Sequence, residues 1–520
     1  MIDKFLKNLS SHPCSLHLQN SKVGLEKESL RVDKNGTISY KMHPKKFGSA
    51  LTNKFITTDY SEALLEMVTP PCSSNIEAKI FLENIIAYVY RNLENEYLWP
   101  ASMPCIISGE KSIPIAYYGT SNQGRMKTTY RRGLGNRYGR IMQVISGIHY
   151  NYSFCEKFWE QFSLFKKSNK KIRDFKSEQY FILSRNLLRN GWIIPYLFGC
   201  SPAVCKSYLS GKKNSLESFD EYTYYEKYAT SLRMGDIGYQ HNKEEDMGVN
   251  IDYNSLKNYV KSLDNAIKKS SREYEKIGVF SEGYYKQINS NILQIENEYY
   301  STVRPKPNSS LEFRPSKGLN IGGVDYIELR SIDNNIFSKS GIDIDQMYFI
   351  ELLIIHSLFS SDSKILENEL IEIKKNLTTV AHKGRNRKLK LIIKGKEKLL
   401  LDELAIIFEE IEKVASLMYS ITKDKKYKDC VKIQKENIKK KGYLPSDMVL
   451  KEMTEKQLSF YEFTMNRISE QKKYFNNFDT DIVIMNSLEK ESIDSLKKQN
   501  DIEKNQNESY EDYIKKYFSN

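Results

Sequence analysis

The stretch Leu25-Glu26-Lys27-Glu28-Ser29-Leu30-Arg31 decides how the fold is interpreted. Alternate side chains of a β-strand point to the same face, so this stretch, as a strand, presents Glu26 and Glu28 together. The two carboxylates repel each other unless a cation lies between them, and hard divalent ions such as Mg²⁺ accept such oxygen ligands. An isolated Glu-x-Glu is more often a solvated edge of an antiparallel sheet, so a metal site requires ligands from elsewhere in the chain.

Four further groups could supply those ligands: Asp59, Glu66, His149 and the pair Glu328 and Arg330. Glu66 interrupts an apolar run in residues 57–70, which also contain Asp59. Because burial of an unpaired carboxylate is prohibitive, Glu66 should either form a salt bridge with a lysine or bind a metal. His149 lies in Ser146-Gly147-Ile148-His149-Tyr150-Asn151. A lone histidine is more often a hydrogen-bonded core residue than a ligand, so His149 supports a metal site only in combination with the acids.

A carboxylate and a guanidinium share one face of a later strand. In Tyr326-Ile327-Glu328-Leu329-Arg330-Ser331, Glu328 and Arg330 alternate with apolar residues. Such a pair suits a phosphate site, although it could equally be a structural couple. The chain has no Walker A loop, no G-x-G-x-x-G after a strand and no G-x-S-x-G motif. The favoured interpretation is therefore a set of carboxylates from several strands that hold metal ions over an antiparallel sheet and support phosphoryl transfer.

The composition is that of a folded protein. Of the 520 residues, 40% are hydrophobic and 12% aromatic, enough to bury a substantial core. The net charge of +13 would attract polyanions. Lysines are nevertheless spread along the chain, and no basic helix or aromatic-basic stripe concentrates them. We therefore expect no nucleic-acid partner and keep nucleic-acid binding as a disfavoured alternative.

Cysteine usage and hydropathy indicate a cytoplasmic protein. The seven cysteines form no C-x-x-C pair and no zinc spacing, which favours reduced thiols. The first residues lack the apolar stretch of a signal peptide. The most apolar run, residues 347–359, is too short to span a bilayer and contains Glu351 and His356. We therefore expect a soluble cytoplasmic protein without membrane contact.

Helical periodicity occurs in several parts of the chain. Helices are predicted at residues 74–93, 156–200 and 255–269 and from 343 onward. The first of these begins with Ser74 and Glu77 in the spacing of a capping box. The last stretch, from residue 488, is rich in lysine and glutamate and is predicted to be a solvated helix or frayed.

Strand and loop signals concentrate in the first two thirds. Strands are predicted at residues 141–154, 287–298 and 326–332, and a long loop at 101–133, where prolines and glycines occur among polar residues. Strands followed by helices predict an α+β fold. We divide the chain into a catalytic region, residues 1–340, and a helical region, residues 341–520, that packs on it.

Eight segments match one known family in the same order along the chain. They are G-L-E-K-E-S-L-R (24–31), I-T-T-D-Y-S-E-A-L-L-E (56–66), Y-G-T-S-N-Q-G-R (118–125), N-R-Y-G (136–139), S-G-I-H-Y-N (146–151), T-S-L-R-M-G-D-I-G-Y (230–239), Q-I-N-S-N-I-L-Q-I-E-N-E (287–298) and I-E-L-R-S (327–331). Together they resemble the glutamate–cysteine ligases of the proteobacterial monomeric type. The resemblance covers roughly residues 24–340, and the helical final third diverges more.

The resemblance implies a fold and an activity. The fold would be glutamine-synthetase-like, with a curved, mostly antiparallel sheet that forms a funnel and helices packed outside it. The enzyme would use ATP to join the γ-carboxylate of L-glutamate to the amine of L-cysteine through γ-glutamyl phosphate. The product would be γ-glutamylcysteine, in the first step of glutathione biosynthesis. Mg²⁺ or Mn²⁺ would act together with ATP, and glutathione would inhibit the enzyme by feedback. The enzyme would be a monomer. It would make only the dipeptide, because the chain is too short for an appended ATP-grasp domain.

The resemblance also assigns roles to individual positions. The implied metal ligands are Glu26, Glu28, Asp59, Glu66, His149 and Glu328. Arg330 would contact the transferring phosphoryl group, and Arg233 would bind glutamate and the phosphorylated intermediate. The implied substrate-binding residues, mostly for cysteine, are Tyr60, Tyr130, Leu134, Gln143, Ile145, Tyr239 and Tyr300. Position 60 is phenylalanine in some of this family, so its hydroxyl is a departure inside the cysteine pocket.

Two other hypotheses about the activity remain open at this point. One is a ligase of the same superfamily that uses another amine, or ammonia, as acceptor. The other is an inactive homologue, which the intact acidic and arginine positions argue against.

Overall fold

A computed structural model of the protein describes residues 2–209, 213–238, 247–308 and 314–519. Its helices are α1 (Ile2–Ser10), α2 (Asn75–Asn92), α3 (Asn122–Tyr138), α4 (Glu156–Phe165), α5 (Ile172–Asn190), α6 (Ile193–Phe198), α7 (Lys206–Leu209), α8 (Leu256–Lys268), α9 (Arg272–Glu275), α10 (Pro315–Gly322), α11 (Ile344–Phe359), α12 (Glu367–Lys383), α13 (Leu400–Thr422), α14 (Lys426–Lys439), α15 (Pro445–Glu455), α16 (Phe460–Asn476), α17 (Ile482–Lys504) and α18 (Tyr510–Ser519). Its strands are β1 (Lys22–Val32), β2 (Ile56–Thr58), β3 (Leu64–Val68), β4 (Tyr97–Leu98), β5 (Ile148–Ser153), β6 (Ala203–Cys205), β7 (Glu217–Ser218), β8 (Thr223–Tyr225), β9 (Phe280–Ser281), β10 (Tyr284–Tyr285), β11 (Val303–Lys306), β12 (Tyr326–Ile332), β13 (Lys390–Ile393) and β14 (Lys396–Leu399).

Seven of the described strands form one antiparallel sheet with β1 near its centre. The strand order is β11-β12-β5-β1-β3-β2, and β4 pairs with the far end of β1. Smaller sheets join β6, β8 and β7, β9 with β10, and β13 with β14. An antiparallel sheet accompanied by many helices confirms the predicted α+β class.

The two faces of the central sheet differ in chemistry because side chains alternate along each strand. On one face, Leu25 of β1, Met67 of β3 and Tyr150 of β5 are fully buried. Ile327 and Leu329 of β12 continue this face into the main hydrophobic core. The opposite face carries the acidic and basic residues of the predicted site.

Helices α2, α5 and α11 cover the apolar face. Helix α2 packs against β1 and β3, α5 packs against β11 and β12, and α11 packs against both helices. Ser74 caps α2 by accepting a hydrogen bond from the backbone N–H of Glu77 (3.1 Å). The Glu77 carboxylate accepts from the N–H of Ser73 instead of that of Ser74, so only half of the predicted capping box forms. The apolar run at residues 347–359 is therefore a core helix, and the described residues contain no helix that could cross a membrane.

The predictions of the helices at residues 74–93 and 255–269 and of the strand at 326–332 are confirmed. The long loop predicted at 101–133 is correct for residues 101–121, apart from a short 3₁₀ turn, Glu110–Ser112, and wrong beyond them, because helix α3 begins at Asn122 and ends at Tyr138. Its glycines suggested a loop, but they serve close packing instead. A Cβ atom at Gly133 would collide with the side chain of Gln294, and one at Gly135 with the hydroxyl of Tyr60.

The strand predicted at residues 287–298 is also wrong. That segment contains a short 3₁₀ turn, Glu296–Glu298, and the strand itself follows at Val303–Lys306. The strand predicted at 141–154 is shorter, because a 3₁₀ turn, Met142–Val144, precedes Ile148–Ser153. Pairing partners, which are tertiary, determined where the ladders run.

The last stretch of the chain is helical and packed rather than frayed. Helices α17 and α18 occupy most of residues 482–519, and Tyr510 at the start of α18 is only 2% exposed. The rest of the final third is helical as predicted, apart from the β13–β14 hairpin. The division at residue 340 stays a prediction, and residues of α11 share the main core with those of the sheet.

Two cysteines depart from the expectation of reduced thiols. Cys105 and Cys205 form a disulfide across 100 residues of sequence, with Cα atoms 5.3 Å apart. The other five are free. The prediction was wrong for this pair because no local motif brings the two cysteines together; packing of the segment after Met103 against β6 does.

A buried ion pair fixes the far end of β1. Arg31 is fully buried, and its Nη1 donates to both carboxylate oxygens of Glu96 (2.8 and 2.9 Å). Its Nη2 donates to the carbonyl oxygens of Lys41 (2.7 Å) and Glu62 (2.9 Å). Charge-assisted, multiply bonded contacts of this kind hold β1 in one register.

Replacement of Glu96 by alanine should destabilise the protein by about 3–5 kcal/mol, because it leaves the Arg31 guanidinium buried without a counter-charge. Thermal unfolding of Glu96→Ala should occur several degrees below that of the wild type. Glu94→Ala is the matched control, since Glu94 pairs with Lys46 at the surface (3.0 Å) and both are exposed. An unchanged unfolding midpoint for Glu96→Ala would contradict this account.

Candidate active site

Strand register brings the predicted acids to one place. In the β1–β3 ladder, Glu28 lies opposite Glu66, and in the β1–β5 ladder, Glu26 lies opposite His149. In the β5–β12 ladder, Glu328 lies opposite Asn151, next to His149 on the same face of the sheet. Directly opposed residues in antiparallel strands share a face, so side chains as distant in sequence as those of Glu26 and Glu328 converge.

The acids contact one another through His149. Its Nδ1 lies 2.9 Å from Glu26 Oε2, and its Nε2 lies 3.6 Å from Glu28 Oε1. Asn151 donates to Glu26 Oε1 (2.8 Å), and the N–H of Gly147 donates to Glu28 Oε2 (2.8 Å). These bonds orient the carboxylates toward a shared space.

One group of these side chains has the geometry of a metal site. Ligand atoms of Glu26, Glu66 and His149 lie within 4.8 Å of one another, and all three side chains are buried or half-buried. Carboxylate and imidazole ligands at such separations are those of a divalent cation.

The electrostatics of the cluster favour a cation. Burial, together with the carboxylates of Glu26 and Asp59, raises the pKa of Glu66 well above its usual value. Burial likewise raises the pKa of Glu28. Burial also acts to raise the pKa of Glu26, but the hydrogen bond with His149 leaves it lowered. An added divalent ion would offset this accumulation of negative charge, so the residues present fit a metal.

A basic wall borders the acidic cluster at Glu328, which is 2% exposed. Its Oε1 accepts from Lys306 (3.2 Å), and its Oε2 accepts from Arg330 (3.1 Å) and lies 3.8 Å from Arg304. Burial alone would raise the pKa of Glu328, but Lys306, Arg330 and Arg304 hold it well below its usual value. Three cations around one carboxylate leave positive charge available to an anionic ligand.

Arg233 reaches the site from a separate 3₁₀ turn, Leu232–Met234. Its Nη2 donates to the carbonyl oxygen of Arg330 (2.9 Å), and its Nη1 lies 3.7 Å from Asp333. A Cβ atom at position 147 would collide with the Arg233 guanidinium, so the glycine of Ser146-Gly147-Ile148 is required for this close approach.

One cavity of about 440 Å³ joins these groups. It is lined by the following predicted site residues: Glu26, Glu28, Asp59, Tyr60, Glu66, Tyr130, Leu134, Gln143, Ile145, His149, Arg233, Tyr300, Glu328 and Arg330. Tyr239 was also predicted but lies outside the described residues. The structure therefore brings together every predicted site residue that it describes.

Helix α3 forms the opposite wall. Arg131 of this helix donates to the carbonyl oxygen of Asp59 and lies 3.9 Å from its carboxylate. Tyr60 is 1% exposed, and its hydroxyl makes no hydrogen bond within the described part of the chain. A buried, unbonded hydroxyl beside a cavity is suited to a polar group of a ligand.

Sequence reasoning missed several residues of the cavity. The additional lining residues are Gln123, Met126, Lys127, Arg131, Ile295, Asn297, Arg304, Lys306, Pro315, Tyr513 and Tyr517. The alternation of Arg304 and Lys306 in Val303-Arg304-Pro305-Lys306 was a usable signal for a basic strand face. No local signal marked Tyr513 and Tyr517, which reach the cavity from the last helix.

Replacement of Glu66 by glutamine should raise the thermal stability of the metal-free protein at neutral pH. The folded-state pKa of Glu66 lies above that of an unfolded glutamate, about 4.3, so its ionised form costs stability at neutral pH. This cost disappears as the pH falls toward the unfolded-state value. In EDTA, the unfolding temperature of Glu66→Gln should exceed that of the wild type by a few degrees at pH 7.5 and converge with it near pH 5.

The exposed Glu94→Gln provides the control and should show no such difference. A Glu66→Gln variant that is less stable than the wild type at pH 7.5 would contradict this prediction. It would mean that other groups of the metal-free protein stabilise the ionised Glu66 carboxylate.

Comparison with known proteins shows the family of the chain. A family profile for glutamate-cysteine ligase matches residues 6–380. The chain is 39% identical to a glutamate–cysteine ligase of Alcanivorax borkumensis over 500 residues, 95% of each chain, and 39% identical to one of Shewanella oneidensis, over 95% and 94%. The crystal structure of the Francisella tularensis glutamate–cysteine ligase in complex with AMP superposes with a TM-score of 0.89 at 35% identity, covering 96% of this chain and 98% of that one. Because the profile matches residues 6–380 and the relatives are 39% identical over 95% of the chain, the chain belongs to the glutamate–cysteine ligase family.

Proposed function

We propose that the protein joins the γ-carboxylate of L-glutamate to the amine of L-cysteine with hydrolysis of ATP to ADP. The observation that carries this proposal is the single cavity in which the cluster of Glu26, Glu66 and His149 meets the basic wall around Glu328. Family membership and the AMP complex of the Francisella tularensis relative support a nucleotide-dependent ligase.

The finer features of the fold belong to this proposal. We infer that the central sheet is the curved funnel of a glutamine-synthetase-like enzyme, and that residues 1–340 form its catalytic region. The acidic face of the sheet would be the inner wall of the funnel. Helices α2, α5 and α11 on the apolar face would be the outer layer.

Magnesium, or manganese, would be held by Glu26, Glu28, Asp59, Glu66, His149 and Glu328. When bound, such ions offset the repulsion between the triphosphate and the glutamate carboxylate. The raised pKa values of Glu66 and Glu28 support the assignment of these two carboxylates as ligands. The hydrogen bonds from Asn151 and Gly147 would hold two ligands in place before any ion arrives.

In the first step, the glutamate γ-carboxylate attacks the γ-phosphorus of ATP and releases ADP, giving γ-glutamyl phosphate. A carboxylate is a poor electrophile, and this conversion supplies a good leaving group. Arg330 and Lys306 contact the phosphoryl oxygens, on which negative charge is spread during transfer. Arg233, fixed by the Arg330 carbonyl and by Asp333, binds the glutamate and the intermediate.

In the second step, the cysteine amine attacks the acyl carbon, the C–O bond to phosphate breaks and the amine loses a proton. Positioning makes this attack local, so the protein needs no nucleophile of its own. Tyr60, Leu134 and Gln143 are buried beside the cavity and form, with Tyr130, Ile145 and Tyr300, a mainly apolar pocket for the thiol side chain. Arg330 stabilises the departing phosphate.

Other expectations from the sequence stay predictions. These are feedback inhibition by glutathione, a monomeric state, a cytoplasmic location and a contribution of Tyr239 to the cysteine pocket.

An amine panel tests the proposed reaction. The purified protein with ATP, Mg²⁺ and L-glutamate should release phosphate on addition of L-cysteine and form γ-glutamylcysteine, detected by mass spectrometry. Ammonium and other amino acids should support much slower release. If cysteine failed while ammonium or another amine supported turnover, the acceptor would be wrong; if no amine did, the chain would be an inactive homologue.

Replacement of Glu328 by glutamine should lower kcat at least about 100-fold, because it removes the charge that organises three cations beside the transferring phosphoryl group. The fold should persist, since glutamine has the same shape and can still hydrogen bond. Circular dichroism and steady-state kinetics measure the two effects.

Glu156→Gln is the matched control, since Glu156 is an exposed surface partner of Lys176 (2.6 Å) and should keep wild-type kinetics. Near-normal turnover of Glu328→Gln would show that the basic wall is not the phosphoryl site.

A further inference from the structure

The last helix, α18, is anchored firmly to α3 although it lies far from α3 in sequence. Asn122, at the start of α3, donates through its side chain to the carbonyl oxygen of Glu508 (2.8 Å), and its N–H donates to Gln506 Oε1 (2.5 Å). The Arg125 guanidinium lies over the ring of Tyr510, 4.4 Å from its centroid. A helix held in this way, at its first residue and through the segment that precedes it, can place its later residues reproducibly.

Those later residues are two tyrosines that line the active-site cavity. Tyr513 and Tyr517 are half-buried and lie one turn apart on the same side of α18. They pack on a small cluster that includes Met126 of α3 and Ile295. Both of these apolar residues also line the cavity, so this part of it is aromatic and apolar.

The basic wall connects this apolar part to the acidic cluster. Arg304, which lies 3.8 Å from Glu328, also donates through Nη2 to the carbonyl oxygens of Asn297 (3.3 Å) and Tyr299 (2.5 Å). Asn297 follows Ile295 in the segment that faces α18. The cavity therefore joins acidic residues such as Glu66, basic residues such as Arg304 and aromatic residues such as Tyr517.

These three kinds of surface in one cavity match the parts of a nucleoside triphosphate. A planar base gains from aromatic and apolar contacts, a triphosphate from cations, and its metal ions from carboxylates. Tyr60 and Leu134 of the pocket assigned to cysteine belong to one hydrophobic cluster, whereas Tyr513 and Tyr517 pack on another that contains Met126, in the first half of α3. The cysteine pocket and the aromatic part of the cavity therefore contact different parts of helix α3. Tyr130 packs against both clusters.

We propose that Tyr513 and Tyr517 of α18 form the binding surface for the adenine base of ATP. This inference rests on the proposed function and adds to it a nucleotide-binding role for the final helix, which lies beyond the segment matched by the family profile. Base–aromatic contacts of this kind each change affinity by roughly five- to a hundredfold.

Calorimetric titration of the wild type, Tyr513→Ala and Tyr517→Ala with Mg²⁺–ATP, and separately with inorganic tripolyphosphate, tests the proposal. Each alanine variant should weaken ATP binding about tenfold and leave tripolyphosphate binding unchanged, because tripolyphosphate has no base. In steady-state assays, KM for ATP should rise similarly while KM values for glutamate and cysteine stay within twofold. Tyr517→Phe should behave as the wild type, because the ring makes the contact.

Lys515→Ala is the matched control on the same helix, since Lys515 is 79% exposed and pairs only with Asp512 (3.6 Å) among described ion pairs. It should leave both binding constants unchanged. Where an alanine variant lowers the unfolding temperature, Tyr517→Leu replaces it, because leucine fills the volume but removes the aromatic face.

Unchanged ATP affinity in folded variants would overturn the inference, as would equal losses for ATP and tripolyphosphate or a rise in KM for cysteine instead. A wild type that binds ATP but forms no γ-glutamylcysteine would contradict the proposed function alone. The binding titration would still decide the role of the tyrosines, since it requires no turnover.

Discussion

The structure depends on gathering like charges on one face of a sheet. Glu26 and Glu28 lie 2.9 and 3.6 Å from the ring nitrogens of His149, and a carboxylate oxygen of Glu66 lies within 4.8 Å of ligand atoms of Glu26 and His149. Burial and the neighbouring carboxylates raise the pKa of Glu66 well above its usual value. Such an arrangement costs stability in the free protein and is retained only because the surrounding fold over-determines it. The unfavourable charge is the physical basis of the proposal that the site binds divalent ions.

The rest of the sheet stabilises that arrangement. Its opposite face is apolar and is covered by α2, α5 and α11, so burial of that face holds the strands in the register that opposes Glu28 to Glu66. A shift of one residue would move every acid to the core side and every apolar residue to the cavity. The buried Arg31–Glu96 pair fixes the end of β1 on which this register depends.

The site also draws on parts of the chain that are distant from the sheet. Helix α3 supplies one wall, and α18, from the end of the chain, packs against α3 and closes the cavity with two tyrosines. The final third of the protein is therefore part of the architecture of the site, in addition to its role in the core. This explains why a stretch with few apolar residues is nevertheless ordered at Tyr510.

The sequence by itself determined the local periodicities: the alternation of Glu26 with Glu28, that of Glu328 with Arg330, the amphipathic helix at 74–93 and the family to which these motifs belong. Only the tertiary structure decided which strands pair, that α3 is a helix, that Cys105 meets Cys205, and that Lys306 and Tyr517 reach the cavity. The reason is physical. Periodicity depends on neighbours along the chain, whereas register, close packing at glycines and contacts across hundreds of residues depend on how the whole core is filled.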